Sequence, residues 1–200
     1  MTRARTAVLV SGGGTNLQAL IDAQQAGNMP HVEFVSVIAS RPDAYALTRA
    51  EKAGIPVCVV PRKGSTQEAF ESGILRLLEK DKVDLIILAG FMSILSEDFV
   101  RLYPRRILNV HPALLPAFGG KGFYGLHVHE AALERGVKVT GATVHYVNEI
   151  ADGGEIILQK AVDVLPGDTP ETLQRRVMEQ AEWLLLPRAA EIAARELINE

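Results

Sequence analysis

The segment Thr6–Gln25, TAVLVSGGGTNLQALIDAQQ, passes from a β-branched, apolar run through three glycines and a Thr-Asn pair into an apolar-periodic stretch. That order predicts a strand over Thr6 to Ser11, a glycine loop, and a helix over LQALIDAQQ, the opening unit of an α/β sheet. Consecutive glycines reach backbone conformations closed to other residues and let N–H groups come close to an anion, while the following helix start adds partial positive charge. By its physics the loop is a phosphate cradle. A tight glycine turn with Thr15 or Asn16 capping the helix accounts for the same letters. The spacing is not that of a dinucleotide fingerprint, because Asn16 and Leu17 stand where the final glycine is required, and no Lys-Ser/Thr pair follows as in a P-loop. A nucleotide is therefore not implied.

Outward from this unit the alternation repeats. Val32 to Ser40 reads as a strand, Tyr45 to Ala53 as a helix stopped by Gly54, and Ile55 to Val60 as a strand. Ser65 or Thr66 starts a helix through Lys80 with Phe70, Ile74, Leu77 and Leu78 on one face, and LIILA (Leu85 to Ala89) follows as an uninterrupted apolar strand. Such strands are those buried on both faces of a parallel sheet. Ile107 to Val110 is a further short strand. Pro112 and Pro116 lack the donor a central strand needs, so the chain leaves the sheet at His111. VTGATVHYV (Val139 to Val147) alternates, with Thr143 and His145 on one face, and an acidic glycine loop over Asn148 to Gly154 joins it to a strand over Glu155 to Val162. Thr169 and Pro170 open a last amphipathic helical segment, Glu171 to Ile198, with an interruption expected at Pro187. The expected fold is α/β: a mostly parallel, doubly wound sheet flanked by helices, with an antiparallel C-terminal part.

Two hundred residues, 48% hydrophobic and 22% charged, fit one domain with a large core. A net charge of -3 with dispersed Lys and Arg argues against nucleic acid as the main partner. Cys58 lies in the run IPVCVV, where it reads as a buried small hydrophobe in a reducing compartment. Near the N-terminus the apolar run Ala7 to Val10 is too short for a signal-peptide core or a membrane span, so a cytoplasmic protein is expected.

Chemistry concentrates at strand ends. ILNVHPALLP (Ile107 to Pro116) puts Asn109 and His111 where ligands collect in open α/β sheets, or else Asn109 caps a turn and His111 is an ordinary loop histidine. GFMSIL after LIILA is unusually apolar for a strand-end loop; Phe91, Met92, Ile94 and Leu95 suggest a pocket wall, or else pack under the next helix. AFGGKGFYGL (Ala117 to Leu126) reads as a mobile loop whose aromatics can fold over a site. His127 and His129 would share a face on a strand, but HVHEAALERG reads as a helix ending at Gly136, on which they diverge, and no third ligand is near; no metal site is expected. Asp152 before two glycines is by itself a turn residue.

Taken together, SGGGTN, LAGFMSIL, NVHPALLP and GATVHYVNEIADGG resemble the phosphoribosylglycinamide formyltransferase family of purine biosynthesis, over nearly the whole chain. The resemblance implies one domain over 1–200, with a phosphate-binding half over roughly 1–105 and a folate and catalytic half over roughly 106–200. It implies that Gly14, Thr15 and Asn16 hold the ribonucleotide phosphate, and that Glu182 and Pro112 contact the glycinamide substrate. Met92, Ser93, Ile94, Leu95 and Asn109 would line the pocket for 10-formyltetrahydrofolate, a co-substrate, with no metal; Asn109, His111 and Asp152 would be the catalytic trio. Small-molecule partners, no nucleic acid, no membrane, and a monomer or homodimer go with it. There are departures. Ser93 and Gln67 stand where arginines are common, Trp183 where histidine is usual, and Ala151 where a larger aliphatic is commoner. The trio is expected to work through an Asn109 amide donor and a His111 imidazolium, whose pKa, ordinarily about 6.5, a carboxylate within about 4 to 6 Å would raise. Two other readings are a formyltransferase or formylfolate hydrolase with another acceptor, and a non-enzymatic nucleotide-binding α/β module.

Overall fold

The structure, a computed structural model, describes residues 3–199. Its centre is a seven-stranded sheet in the order β3-β2-β1-β4-β5-β6-β7. The strands are β1 (Ala4–Val10), β2 (Val32–Ala39), β3 (Val57–Val59), β4 (Leu85–Leu88), β5 (Ile107–His111), β6 (Val139–Tyr146) and β7 (Ile156–Asp163). β1 to β5 pair in parallel, whereas β6 pairs antiparallel with β5 and β7 with β6. The sheet is mixed as expected, mostly parallel with its antiparallel strands at the C-terminal side. From β1 the chain steps outward to β2 and β3, then crosses back to β4 on the other flank of β1. That reversal opens a crevice at the carboxyl ends of β1 and β4, the usual place for a ligand in such sheets.

Alternation along the strands feeds two cores. Leu85 and Ile87 of β4 pack on one face with Leu17, Leu20 and Leu186; Ile86 and Leu88 pack on the other with Phe70, Ile74, Leu78 and Phe99. The first face is covered by α1 (Thr15–Gln25), α2 (Tyr45–Lys52) and the last helix, the second by α3 (Gln67–Lys80) and the short α4 (Glu97–Arg101). The side chains of Thr66 and Ser96 cap α3 and α4. On β5, Ile107 belongs to the second core, and Asn109 and His111 continue the same side of the strand.

Three expectations needed correction. Cys58 is half-buried, because β3 is an edge strand. The C-terminal helical segment is interrupted earlier than Pro187: α6 (Pro170–Val177) gives way to a π-helical turn, Met178–Glu182, before α7 (Trp183–Asn199). Pro187 sits inside α7; the carbonyl it cannot serve, four residues back on Trp183, lies at the junction of the two helical registers. β7 runs through Asp163, one residue past the expected end. The helix α5 (Leu126–Arg135) forms as read, with Gly136 in the left-handed conformation at its end. Among the described residues no helix is long and apolar enough to cross a membrane.

Candidate active site

Sheet register places three strand exits abreast. Leu9 pairs with Leu88 and Leu88 with Asn109, so Ser11, Gly90 and His111 leave the sheet along one edge. Ser11 joins two of them to β2: its hydroxyl lies 2.7 Å from that of Ser40 and accepts from the Met92 N–H at 2.9 Å.

At the β5 exit, a polar cluster forms where the apolar face ends. Asn109 and His111 face His145 and Thr143 across the antiparallel pair. Beyond Tyr146 the chain is at the amino end of β5, yet the loop to β7 returns over the sheet face and brings Asp152, in left-handed backbone (φ 54°), onto this cluster. Asp152 Oδ2 lies 3.5 Å from His111 Nδ1, and Oδ1 lies 3.6 Å from His145 Nε2. Asn109 Nδ2 is 3.3 Å from the same His145 nitrogen. His145 Nδ1 donates to the Tyr146 carbonyl, 2.9 Å away, which leaves Nε2 an acceptor for the Asn109 amide when the ring is neutral. His111 Nε2 donates to the Phe118 carbonyl at 2.7 Å, and the Gly120 N–H donates to Asp152 Oδ2 at 2.8 Å, so the 117–126 loop is tied to both partners.

The electrostatics differ from expectation. Asp152 and the Phe118 carbonyl both favour a charged His111, but burial dominates and, with His145 nearby, holds the His111 pKa below 6.5. The carboxylate is present at the required distance and is outweighed by desolvation. Burial also pushes the Asp152 pKa upward, but the adjacent His145 ring, a hydrogen bond from the Gly120 N–H and the pull of His111 hold it below the ordinary carboxylate value.

At the β1 exit, Gly14 is left-handed (φ 72°) and precedes α1, whose start has neither a side-chain cap nor an acidic first turn. A Cβ added at Gly14 would fall 2.6 Å from Ala46 Cβ, so only glycine fits. Thr15 opens the helix. Asn16 is buried and donates through Nδ2 to Glu182 Oε2 at 2.7 Å, across to the π turn, while its Oδ1 has no partner among the described residues. Burial raises the pKa of Glu182 against the opposing effect of Asn16.

Between these ends lies the β4 exit. Met92 and Ile94 are exposed (59% and 78%), Ser93 and Leu95 half-buried, and Phe91 stacks on Phe70. Pro112, half-buried, follows His111 directly. The loop is pinned from below. Glu71, buried in α3, accepts from the Ser96 N–H and hydroxyl at 2.6 Å each and from Gln67, whose amide also donates to the Ile94 carbonyl at 2.9 Å. Arg62, over the Phe70 ring, donates to Gln67 Oε1 at 3.1 Å and has no carboxylate partner within 4.0 Å among the described residues. A guanidinium thus reaches the place of Gln67 from five residues upstream.

His145, Glu71 and Arg62 were not singled out by sequence. His145 had one usable signal, its register opposite the β5 histidine strand; Glu71 and Arg62 had none, since charged residues on helices and loops are ordinarily solvated. His127 and His129 diverge on α5: His127 is exposed beside Glu130, and His129 is fully buried with neither ring nitrogen partnered among the described residues.

The Formyl transferase family matches residues 4–189. The trifunctional purine biosynthetic protein adenosine-3 of Bos taurus is 46% identical over 194 residues, 96% of this chain and 18% of its own length. The chain spans less than a fifth of the length of that relative. The phosphoribosylglycinamide formyltransferase of Haemophilus influenzae is 42% identical over 92% of this chain and 84% of its own. The solved structure of glycinamide ribonucleotide transformylase 1 from Symbiobacterium toebii superposes with a TM-score of 0.90 at 42% identity, covering 97% of this chain and 89% of that one.

Proposed function

The chain belongs to the formyl transferase family, and we propose that it transfers a formyl group from 10-formyltetrahydrofolate to the amine of glycinamide ribonucleotide in de novo purine biosynthesis. The observation that carries this reading is one edge bearing three complementary stations: an uncapped helix start behind glycines, an exposed apolar wall, and a cluster of the buried His111 with the half-buried Asn109 and Asp152. The phosphate of the acceptor supplies the missing cap of α1 at Gly14, Thr15 and Asn16. Glu182, fixed by Asn16, accepts from the acceptor's ribose, with Pro112 beside the amine path. The donor's ring system lies on Met92, Ser93, Ile94 and Leu95, and Arg62 puts an unbalanced charge near that wall, which suits a donor with an anionic tail.

The amine nitrogen attacks the formyl carbon and the carbonyl pair moves onto oxygen. Asn109 donates its amide N–H to that oxygen, an interaction worth about 3 kcal/mol for one such donor. His111 Nε2 already donates to a carbonyl oxygen, that of Phe118. Collapse breaks the bond to the donor nitrogen, which leaves with the proton the amine gives up. Asp152 accepts that proton and passes it to His111 Nδ1, 3.5 Å away, and the imidazolium so formed gives a proton to the leaving nitrogen. With its resting pKa lowered, His111 begins mostly neutral at pH 7 and gains its charge from substrate and Asp152 together.

The experiment is spectrophotometric: purified protein with a 10-formylfolate, with and without glycinamide ribonucleotide. Donor turnover that requires the ribonucleotide is expected. Turnover indifferent to it would favour another acceptor or water, and a thermal shift with mononucleotides but none with folate would favour a binding module.

A further inference from the structure

The glycine loop owes its shape to α2. The Gly12 carbonyl accepts from the Ala46 N–H at 3.1 Å, and the Gly13 carbonyl accepts from Arg49 Nε at 2.8 Å. A trans peptide points its N–H opposite to its C=O. Tying these two carbonyls back to α2 therefore turns the Gly13 and Gly14 N–H groups outward, toward the open side where Cβ atoms added at Gly12 or Gly13 would meet nothing within 4 Å. One tie is backbone and survives most mutations. The other depends wholly on Arg49.

Arg49 is built for the task. Its stem lies against Gly14, where an added Cβ would come within 3.4 Å of its Cδ; NH1 donates to Gln18 Oε1 at 3.0 Å; and its guanidinium covers the Tyr45 ring at 5.1 Å. It is half-buried, every partner is neutral, and no carboxylate lies within 4.0 Å among the described residues. Such a cation leaves positive potential beside the loop. Asn16 Oδ1, buried and unpartnered in the same turn, marks a site whose polar groups are incomplete without a ligand.

We propose that Arg49 is the positioning residue for phosphate recognition: through the Gly13 carbonyl it aims the Gly14 N–H at the acceptor's phosphate, and its unpaired charge favours the dianion. This rests on the formyl-transfer reading above. The test compares kcat/KM for glycinamide ribonucleotide with that for the dephosphorylated glycinamide riboside, in wild type, Arg49→Met and Arg49→Lys. Arg49→Met keeps the stem against Gly14, and it is expected to cut the phosphate preference about tenfold to a hundredfold, the worth of one or two hydrogen bonds to a charged group. The loss should fall on acceptor KM. Arg49→Lys keeps the charge but cannot hold Gly13 and Gln18 together, so it should recover only part. Full rescue by lysine, or equal losses for both acceptors, overturns the positioning role. A wild type that does not prefer the phosphorylated acceptor sinks the underlying reading instead, and this inference with it.

Discussion

The two ends of the site are built from different materials. At the β1 exit the working groups are backbone N–H donors, held by ties to a neighbouring helix within about one βαβ unit of sequence. At the β5 exit they are side chains, His111 buried and Asn109 and Asp152 half-buried, the last of which arrives from a loop that starts at the wrong end of its strand. A backbone donor tolerates little change in shape and does not itself titrate; a catalytic side chain tolerates none in chemistry and answers to pH. Substitutions should therefore separate along that line.

The largest separation is expected at the trio. His111→Ala and Asp152→Asn should each lower kcat by about a hundredfold to ten-thousandfold with acceptor KM within a few-fold; turnover near wild type in either removes the chemistry from this end. Gly14→Val is the converse case. It forces a β-branched residue to φ 72° against Ala46, costing on the order of 1–3 kcal/mol, and should raise acceptor KM far more than donor KM. Equal rises in both would mean a general loss of fold and erase the contrast.

Titration sharpens it further. The His111 ring, followed by NMR, should have its midpoint below 6.5, and Asp152→Asn should move it lower still, because the aspartate is a raising influence. An upward shift would mean the carboxylate does not act on that ring. The smallest effect is at His129, whose burial lowers its pKa from 6.5 to about 4. As pH falls through 6.5 the unfolded chain binds a proton that the folded state refuses, so stability declines until about pH 4. Neither ring nitrogen has a partner, so His129→Met should be close to neutral in thermal stability at pH 7.5 and gain on wild type as the pH drops toward 4. Parallel stability curves would break this assignment.

The contrast also marks what could be read without coordinates. Strand, glycine loop and helix at Thr6–Gln25, the apolar LIILA run and a helix start at Ser65 or Thr66 are local, and local signals survive translation into sequence. The Asp152 loop is different: alternation predicts β6 and β7, but nothing in NEIADGG tells that the turn folds back across the sheet toward His111. Burial was equally invisible, which is why the protonation of His111 was expected to rise and instead falls. Pro187 drew attention from the true break because proline is legible and a π turn is not.

That returning loop is closed on itself by three hydrogen bonds and held from outside through Asp152 and Glu149. Asn148 Oδ1 accepts from the Ile150 N–H at 3.0 Å, the Ile150 carbonyl accepts from the Gly153 N–H at 3.0 Å, and the Gly153 carbonyl accepts from Asn148 Nδ2 at 3.3 Å. A segment closed on itself can detach as a unit while the ladder beneath stays intact. Amide hydrogens of the loop should then exchange with solvent through a local opening far less costly than unfolding. Each opening withdraws the carboxylate from both histidines, so the fraction of molecules competent for proton transfer is set by the stability of this loop and not by that of the domain.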